Sequence, residues 1–431
     1  MILAHVIALD PTAKQAEHFR RACGTARLAY NWALAEWNRM FKAGEKPSAP
    51  KLKIKWNAVR REAYPFTYDV TKCASNQAIL NLGRAFDNFF RDLKKSKKER
   101  QFRYPQFKKK GKRDSFALWN DQFALEGTRI RIPNLGWVRM AESLRYAGKV
   151  MGAVVNRVAD RWTVSVQVAV EQALARHPAA GTVVGVDLGV STLMTLSQAL
   201  PDGRMRIENP KARRSHMRRM RKLQRRVSRQ ELVRRRACAK RSRRQSIRQA
   251  RLRRMHHRVA CIRKDAAHKA TTAIARAFGT VVIEDLNVAG MSKNHALAGA
   301  VLDAAFSEVR RQFEYKCARF GGSVVAADRF FPSSRRCSAC GAVRAVLPLC
   351  VRKWACAGCG CVHDRDTNAS HNLEWVGQAM PEPPAGRASP PDFAGLPATH
   401  GDIAALAAPQ GATKLRWANR ELNRRAHART N

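Results

Sequence analysis

Cys337-x2-Cys340 and Cys356-x2-Cys359 stand fifteen residues apart, and the tetrapeptide HDRD begins four residues after the second pair. That spacing is the signature of a zinc ribbon, because each CxxC turn presents two thiolates to one ion and four thiolates complete the tetrahedral shell that Zn²⁺ prefers. A closed four-cysteine site is structural, so zinc accounts for the cysteines and not for the carboxylates beside them. Six of the eleven cysteines fall between Cys337 and Cys361, which argues for metal in a reducing compartment over a disulfide scaffold or two redox pairs. Cys350 is spare, and Cys361 and His363 read as packing or hydrogen-bonding residues once four better-spaced thiolates have closed the site.

The remainder of the chain is strongly basic. Its 81 Lys and Arg against 33 Asp and Glu give a formal charge of +48, which a compact fold holds only with a polyanion to neutralise it. Nucleic acid fits. A membrane does not, since no run approaches the roughly 18 apolar residues of a spanning helix and the N-terminal MILAHVIAL lacks a basic flank and a cleavage site. An intracellular, soluble protein is expected, in two to four domains.

The charge is unevenly placed. Between Lys211 and Lys264 there are 24 Lys and Arg and one acid, Glu231. Apolar residues recur there at helical spacing, at Met217, Met220, Leu223 and Val227 and again at Ile247, Leu252, Met255, Val259 and Ile262, which predicts two amphipathic basic helices with one face on protein and the other on phosphate. Arg218, Arg219, Arg225, Arg226, Arg243, Arg244 and Arg251 are the candidate contacts. A second basic stretch, KKSKKERQFRYPQFKKKGKRDSF, is either a solvated loop or a nucleic-acid track. In the second reading Phe102, Tyr104, Phe107 and Phe116 stack on bases while Lys108, Lys109, Lys110, Lys112 and Arg113 follow phosphates.

Elsewhere the periodicity separates three regions. Ile2 to Leu9 reads as a strand, and Thr12-Ala13-Lys14-Gln15 has the form of a capping box opening a helical region that extends to about Lys95. Asn76 and Gln77 within it are either base-edge contacts or exposed helix polars. From Phe116 to Val170 the period becomes two, with Ile130 and Ile132, then Trp162, Val164, Val166, Val168 and Val170, on single faces. This predicts a small β-domain that recruits the N-terminal strand, with the helices as an insertion. TVVGVDLGVSTLMTLS predicts a buried strand followed by a hairpin, and GTVVIEDLNVAG a second buried strand. The Pro/Gly/Ala-rich segment after Met380 reads as a flexible tail.

Asp187 interrupts an apolar strand, where an acid costs free energy unless a partner or metal satisfies it. Glu284-Asp285 repeats the pattern at the end of the second strand, and Asp364 and Asp366 precede a helix that either could cap. Singly, each has a structural account as an ion pair, a strand end or a cap. Together they suggest two strands and a helix converging three carboxylates on a pair of divalent ions, the layout of two-metal phosphodiester hydrolysis.

GVDLGVSTLMTLS, VVIEDLNVAGM, FFPSSRRCSACG and WACAGCGCVHDRDTNASHNL, in this order, resemble the RuvC-type nuclease core of the TnpB family, the insertion-sequence proteins also named OrfB-type transposases. RACGTARLAYNWAL and the AFDNFFRDLKK to FKKKGKRDSF block resemble the same family, so the likeness runs from residue 1 to about 375. It implies an α/β, RNase H-like (RuvC) core at 181–332 and 362–380, including basic helices at 211–264, with a zinc ribbon inserted at 333–361. A wedge-like β-barrel at 1–10 and 112–180, a helical recognition lobe at 11–111 and a tail at 381–431 complete the expected layout.

The resemblance also implies the activity: guide-RNA-directed cleavage of double-stranded DNA beside a short adjacent motif, akin to type V CRISPR effectors, in the cytoplasm and nucleoid of a prokaryote. Carried over residue by residue, Asp187, Glu284 and Asp366 are the catalytic acids that hold two Mg²⁺, and Cys337, Cys340, Cys356 and Cys359 hold Zn²⁺. The guide RNA derives from the transposon end, and monomer and dimer both fit the sequence. NASHNL departs from the commoner NAA-x-NI of the family. Two rival readings are an RNA-guided binder that does not cut and a transposase that performs strand transfer; the first predicts a missing acid, and all three are present.

Overall fold

The computed structural model describes residues 1–96, 99–171 and 177–379; the tail expected at 381–431 lies outside them. In chain order the elements are β1 (Ile2–Asp10), α1 (Ala13–Lys42), α2 (Ala49–Ala63), α3 (Lys72–Leu93), β2 (Asp114–Trp119), β3 (Ala124–Glu126), β4 (Arg129–Ile132), β5 (Gly136–Met140), β6 (Lys149–Val158) and β7 (Arg161–Ala169). They continue with β8 (Val183–Leu188), β9 (Thr192–Leu196), β10 (Arg206–Glu208), α4 (Ala212–Arg236), α5 (Arg243–Ala277), β11 (Thr280–Glu284), α6 (Val288–Met291), α7 (Ala298–Ala304) and α8 (Phe306–Arg319). The last are β12 (Ser323–Ala327), β13 (Lys353–Ala355), β14 (Val362–Asp364) and α9 (Arg365–Ala379).

The N-terminal strand does join the β-region. β1 pairs antiparallel with β7, Ile2 opposite Ala169 through Leu9 opposite Trp162, in a seven-stranded sheet of order β2-β6-β7-β1-β5-β4-β3. The chain leaves this sheet after β1, forms α1 to α3, and returns at β2. The capping box is present, with Gln15 N–H donating to Thr12 Oγ1 and Thr12 N–H to Gln15 Oε1. Helices and sheet share one apolar core, in which the Phe19 ring lies 5.1 Å from Trp162 and 5.8 Å from Phe116. Phe116 is therefore a core residue and not a base-stacking one: period-two alternation in β2 turns its side chain inward, where burying a phenyl ring contributes about 2–3 kcal/mol.

A five-stranded sheet of order β10-β9-β8-β11-β12 follows. β8, β9 and β10 run antiparallel through short turns, whereas β11 and β12 lie parallel to β8 and are reached through helical crossovers. Alternation divides the sheet between two helical layers. Val184, Val186, Val281 and Ile283 pack with Ile274 of α5 and Phe313 of α8, while Val282 packs with Leu373 of α9 on the opposite face.

α4 and α5 form the expected basic pair, joined by a small contact of Ala212, Met220 and Val259 with Met255 and Ile262. Ile247, assigned to the protein-facing side by spacing, is instead exposed, because the contact is confined to the end of the hairpin nearer the sheet. At the far end Glu231 accepts hydrogen bonds from Arg234 (2.8 Å), Arg241 (3.3 Å) and Gln245 (3.0 Å), so the only acid of the basic run clasps the turn.

Candidate functional site

The carboxylates are sorted by the pleat. Gly185 faces α9, so Asp187, two residues on, faces the same way. Val282 also faces α9, and Glu284 follows it by two. Because Val186 and Ile283 are register partners on parallel neighbours, Asp187 and Glu284 sit side by side at the carboxyl ends of β8 and β11. Asp285 necessarily points to the other face, where it pairs with Arg310 at 2.6 Å and Arg329 at 2.5 Å. The dipeptide Glu284-Asp285 thus separates into one acid beside Asp187 and one bound by arginines.

Asp366 is delivered by close packing. A Cβ on Gly185 would stand 1.9 Å from Ser370 O and 2.5 Å from Glu374 N, so the glycine lets the α9 backbone lie directly on β8. The cap is Asp364: its Oδ1 accepts from Thr367 N–H and Thr367 Oγ1, both at 3.1 Å, and it pairs with Arg206 at 3.0 Å. Asp366, in the first turn, is left to face the sheet, where Arg352 reaches it at 3.3 Å.

Burial first, then the charges of Glu284 and Asp366, push the Asp187 carboxyl well above the usual carboxylate range, against the opposing pull of Arg365 and Arg352. Glu284 accepts a 2.5 Å hydrogen bond from the buried hydroxyl of Ser333. A buried carboxylate with two others beside it, all oxygen donors, is a donor set suited to a hard divalent cation.

The ribbon cysteines do converge. Cys337, Cys340, Cys356 and Cys359 have sulfur atoms all within 4.8 Å of one another, and among the described residues theirs is the one group of three or more His, Cys, Asp or Glu that meets this standard. Backbone N–H groups of Cys359 and Gly358 pull the Cys356 thiol down to about 6, whereas Cys340 and Cys359 are raised against their backbone hydrogen bonds by the sulfurs beside them, so Cys356 is the member poised as a thiolate. His363 Nε2 lies 3.0 Å from Cys337 Sγ while its ring packs on Trp354, and Cys361 accepts from Cys356 N–H through its backbone.

Sequence reasoning assigned no role to Ser333, Arg352, Asn368 or Asn372. The two asparagines are buried one turn apart on α9 and both donate to the carbonyls of Ser333 and Arg336, fastening the chain that enters the ribbon to the helix carrying Asp366. Asparagines at i and i+4 within NASHNL were the available signal.

The nucleic-acid candidates separate by location. Lys109, Lys110, Lys112, Arg113, Arg218, Arg219, Arg225, Arg226, Arg243, Arg244 and Arg251 are exposed. Arg218, Arg225 and Arg226 also line, with Arg214, Arg221 and Arg229, a concavity of about 650 Å³ along α4. Lys108 is exposed as a residue too, but it turns its ammonium onto the Tyr30 ring at 3.8 Å, and desolvation there lowers it to about 8. Gln77 accepts from Trp119 Nε1 at 2.8 Å and so ties α3 to β2. Asn76 is buried, not an exposed helix polar. Tyr104, Phe102 and Phe107 are all exposed, and of the three Tyr104 donates to Asn38 and packs edge-on against Phe86 and Phe89.

Comparison with known proteins gives the family. Profiles described as "Probable transposase", "Cas12f1-like, TNB domain" and "Helix-turn-helix domain" match residues 164–295, 306–373 and 1–46. The chain is 36% identical over 383 residues to a "Putative RNA-guided DNA endonuclease" of Streptomyces pristinaespiralis, spanning 86% of this chain and 88% of that protein. It is 31% identical over 390 residues to "Putative RNA-guided DNA endonuclease InsQ" of Escherichia coli K12, spanning 86% and 91%. This chain belongs to the TnpB family. Its first 46 residues hold one strand and one 30-residue helix, so the helix-turn-helix description does not fit this TnpB-family fold. Among solved structures it is similar to CasPhi-2 (Cas12j) bound to crRNA, at 11% identity and a TM-score of 0.42 over 89% of this chain and 99% of that one. Among the described residues, no helix of this TnpB-family chain is long and apolar enough to cross a membrane.

Proposed function

We propose that this chain is an RNA-guided DNA endonuclease that hydrolyses one phosphodiester bond at a time with Asp187, Glu284 and Asp366. The observation that carries the reading is the convergence of three acids from β8, β11 and α9 on one sheet face, with Asp187 driven toward its protonated form by burial and then by the charges of the other two. Carboxylates in that state are relieved by divalent cations, and Asp187, Glu284 and Asp366 are the residues that would hold Mg²⁺. The ions, when bound, activate water and stabilise the leaving oxygen. Ser333 fixes the Glu284 carboxylate, Arg352 steadies Asp366, and the four cysteines, with zinc, hold Arg352 in place.

In the same reading the strand order, with three antiparallel strands followed by two parallel ones, is that of an RNase H-like core. The seven-stranded sheet serves as the wedge-like domain, and α1 to α3 as the recognition lobe. The exposed arginines of α4 and α5 and the lysines at 109–112 take the backbones of guide RNA and heteroduplex, while base pairing reads the sequence.

The test is co-expression with the flanking transposon-end DNA, sequencing of the RNA that copurifies, and assay of Mg²⁺-dependent cleavage of a matched target by the native and Asp187→Ala proteins. A discrete RNA with cleavage abolished by the substitution supports the proposal. Bound RNA with no cleavage by either protein makes the chain a silent binder. Joined products in place of cut ends make it a strand-transferring transposase.

A further inference from the structure

On the face of the sheet opposite Asp366, at the carboxyl ends of β8 and β11, lies a cavity of about 330 Å³. Leu188, Leu286 and Phe306 form its apolar part, Arg310 and Arg329 its cationic rim, and Glu284 the edge it shares with the acidic site. Asp285 sets the arginines. Arg310 donates to it from Nη1 (2.6 Å), and Arg329 from Nη2 (2.5 Å) and, to the backbone carbonyl, from Nε (3.4 Å). The Nε of Arg310 is taken by Glu314 at 3.1 Å. Among the described residues this leaves Arg310 Nη2 and Arg329 Nη1 without a partner. Both side chains stay open to solvent, at 41% and 50% exposure.

We propose that this cavity docks the DNA nucleotide adjoining the scissile bond, its phosphate on the spare amino groups of Arg310 and Arg329, with Asp285 as the positioning residue that holds both. The proposal rests on the endonuclease reading and deepens it. A planar guanidinium pinned through one edge offers its remaining donors in a fixed direction, which suits a tetrahedral phosphate oxygen. The apolar wall suits a sugar or base face, and the shared Glu284 edge keeps the occupant next to the site of reaction. A second metal does not suit it, since three of the five charged lining residues are arginines. The acid left over from Glu284-Asp285 thereby acquires a role on the far side of the strand.

The experiment uses the RNA-loaded complex and targets carrying one uncharged methylphosphonate linkage, moved stepwise across the cut, with single-turnover cleavage by native, Arg310→Gln, Arg310→Lys, Arg329→Gln and Asp285→Asn proteins. Melting temperature and copurified RNA confirm folding. At one linkage beside the cut, the neutral substitution should slow the native protein about 10–100-fold, the worth of a hydrogen bond to a charged group. Arg310→Gln and Arg329→Gln should slow the ordinary target comparably and show no further loss at that linkage. Arg310→Lys should recover part of the rate, and Asp285→Asn should weaken discrimination at that linkage alone. If native protein cuts and the effects multiply at every linkage, the docking proposal falls while the nuclease reading stands. If native protein cuts no target, the nuclease reading falls and the docking proposal with it.

Discussion

Arg352 in the cysteine ribbon lies 3.3 Å from Asp366 at the start of α9, and its backbone carbonyl accepts from Arg365 N–H at 2.8 Å. The four-cysteine knuckle and the acidic site are thus joined through two consecutive residues of one helix.

If the chain is the proposed zinc-holding endonuclease, that junction should make zinc a condition for cleavage more than for folding. The ribbon core of Cys337, Leu347, Trp354 and Cys356 is separate from the two large cores. Elemental analysis should give one zinc per chain, lost in Cys356→Ser. The variant should keep the main melting transition within a few degrees, yet lose most cleavage of a matched target.

Asp364 and Asp366 should part cleanly. Asp364→Ala removes a helix cap and should cost about 1 kcal/mol in denaturant titration, with cleavage retained. Asp366→Ala should leave stability nearly unchanged, since it removes a charge that opposes ionisation of Asp187, and should abolish cleavage.

Gly185→Ala tests the packing that delivers Asp366. A methyl group 1.9 Å from Ser370 O must displace α9, at about 1–3 kcal/mol for overpacking. Melting should fall and cleavage should go with it; an unchanged melting temperature would show that α9 does not rest on β8.

Lys316 gives a pH signature away from the acids. Buried between α5 and α8, its ammonium donates to His268 O (2.8 Å), Thr271 Oγ1 (2.6 Å) and Thr272 Oγ1 (2.7 Å), and desolvation lowers it from 10.5 to about 8. Below pH 8 both folded and unfolded states are protonated and the burial penalty is full. From about 8 to 10.5 the folded lysine is neutral while the unfolded one is charged, so this group's contribution rises with pH, by about 3 kcal/mol in all. Urea titrations should show that Lys316→Met lacks this component of the native pH dependence.

Salt dependence separates phosphate contacts from structural cations. Replacing Arg218 and Arg225 with Gln should reduce the slope of log affinity for RNA against log salt by about 1.5. Lys108→Met should leave the slope unchanged and lower the melting temperature, because its ammonium is spent on Tyr30.

Much of this molecule was legible in one dimension. Ligand spacing identified Cys337, Cys340, Cys356 and Cys359, because a CxxC turn is local geometry. Helical and strand periods identified the α1 to α3 region, the β-strands and the basic pair α4 and α5, because amphipathic faces are written in the order of residues. The resemblance of four ordered motifs singled out Asp187, Glu284 and Asp366.

What only tertiary structure decided is direction and partnership. The pleat sent Glu284 to one face and Asp285 to the other, and a cap consumed Asp364 while Gly185 brought Asp366 onto the sheet. Phe116 and Lys108 looked like nucleic-acid contacts within a basic stretch, but the strand's alternation turned Phe116 into the core, and the ammonium of Lys108, a residue that stays exposed, lies over the Tyr30 ring. Ser333, Arg352, Asn368 and Asn372 act across 14 to 49 residues of chain, through hydrogen bonds that no local pattern encodes. Composition and period specify which surfaces must be buried, and packing alone specifies which groups then meet.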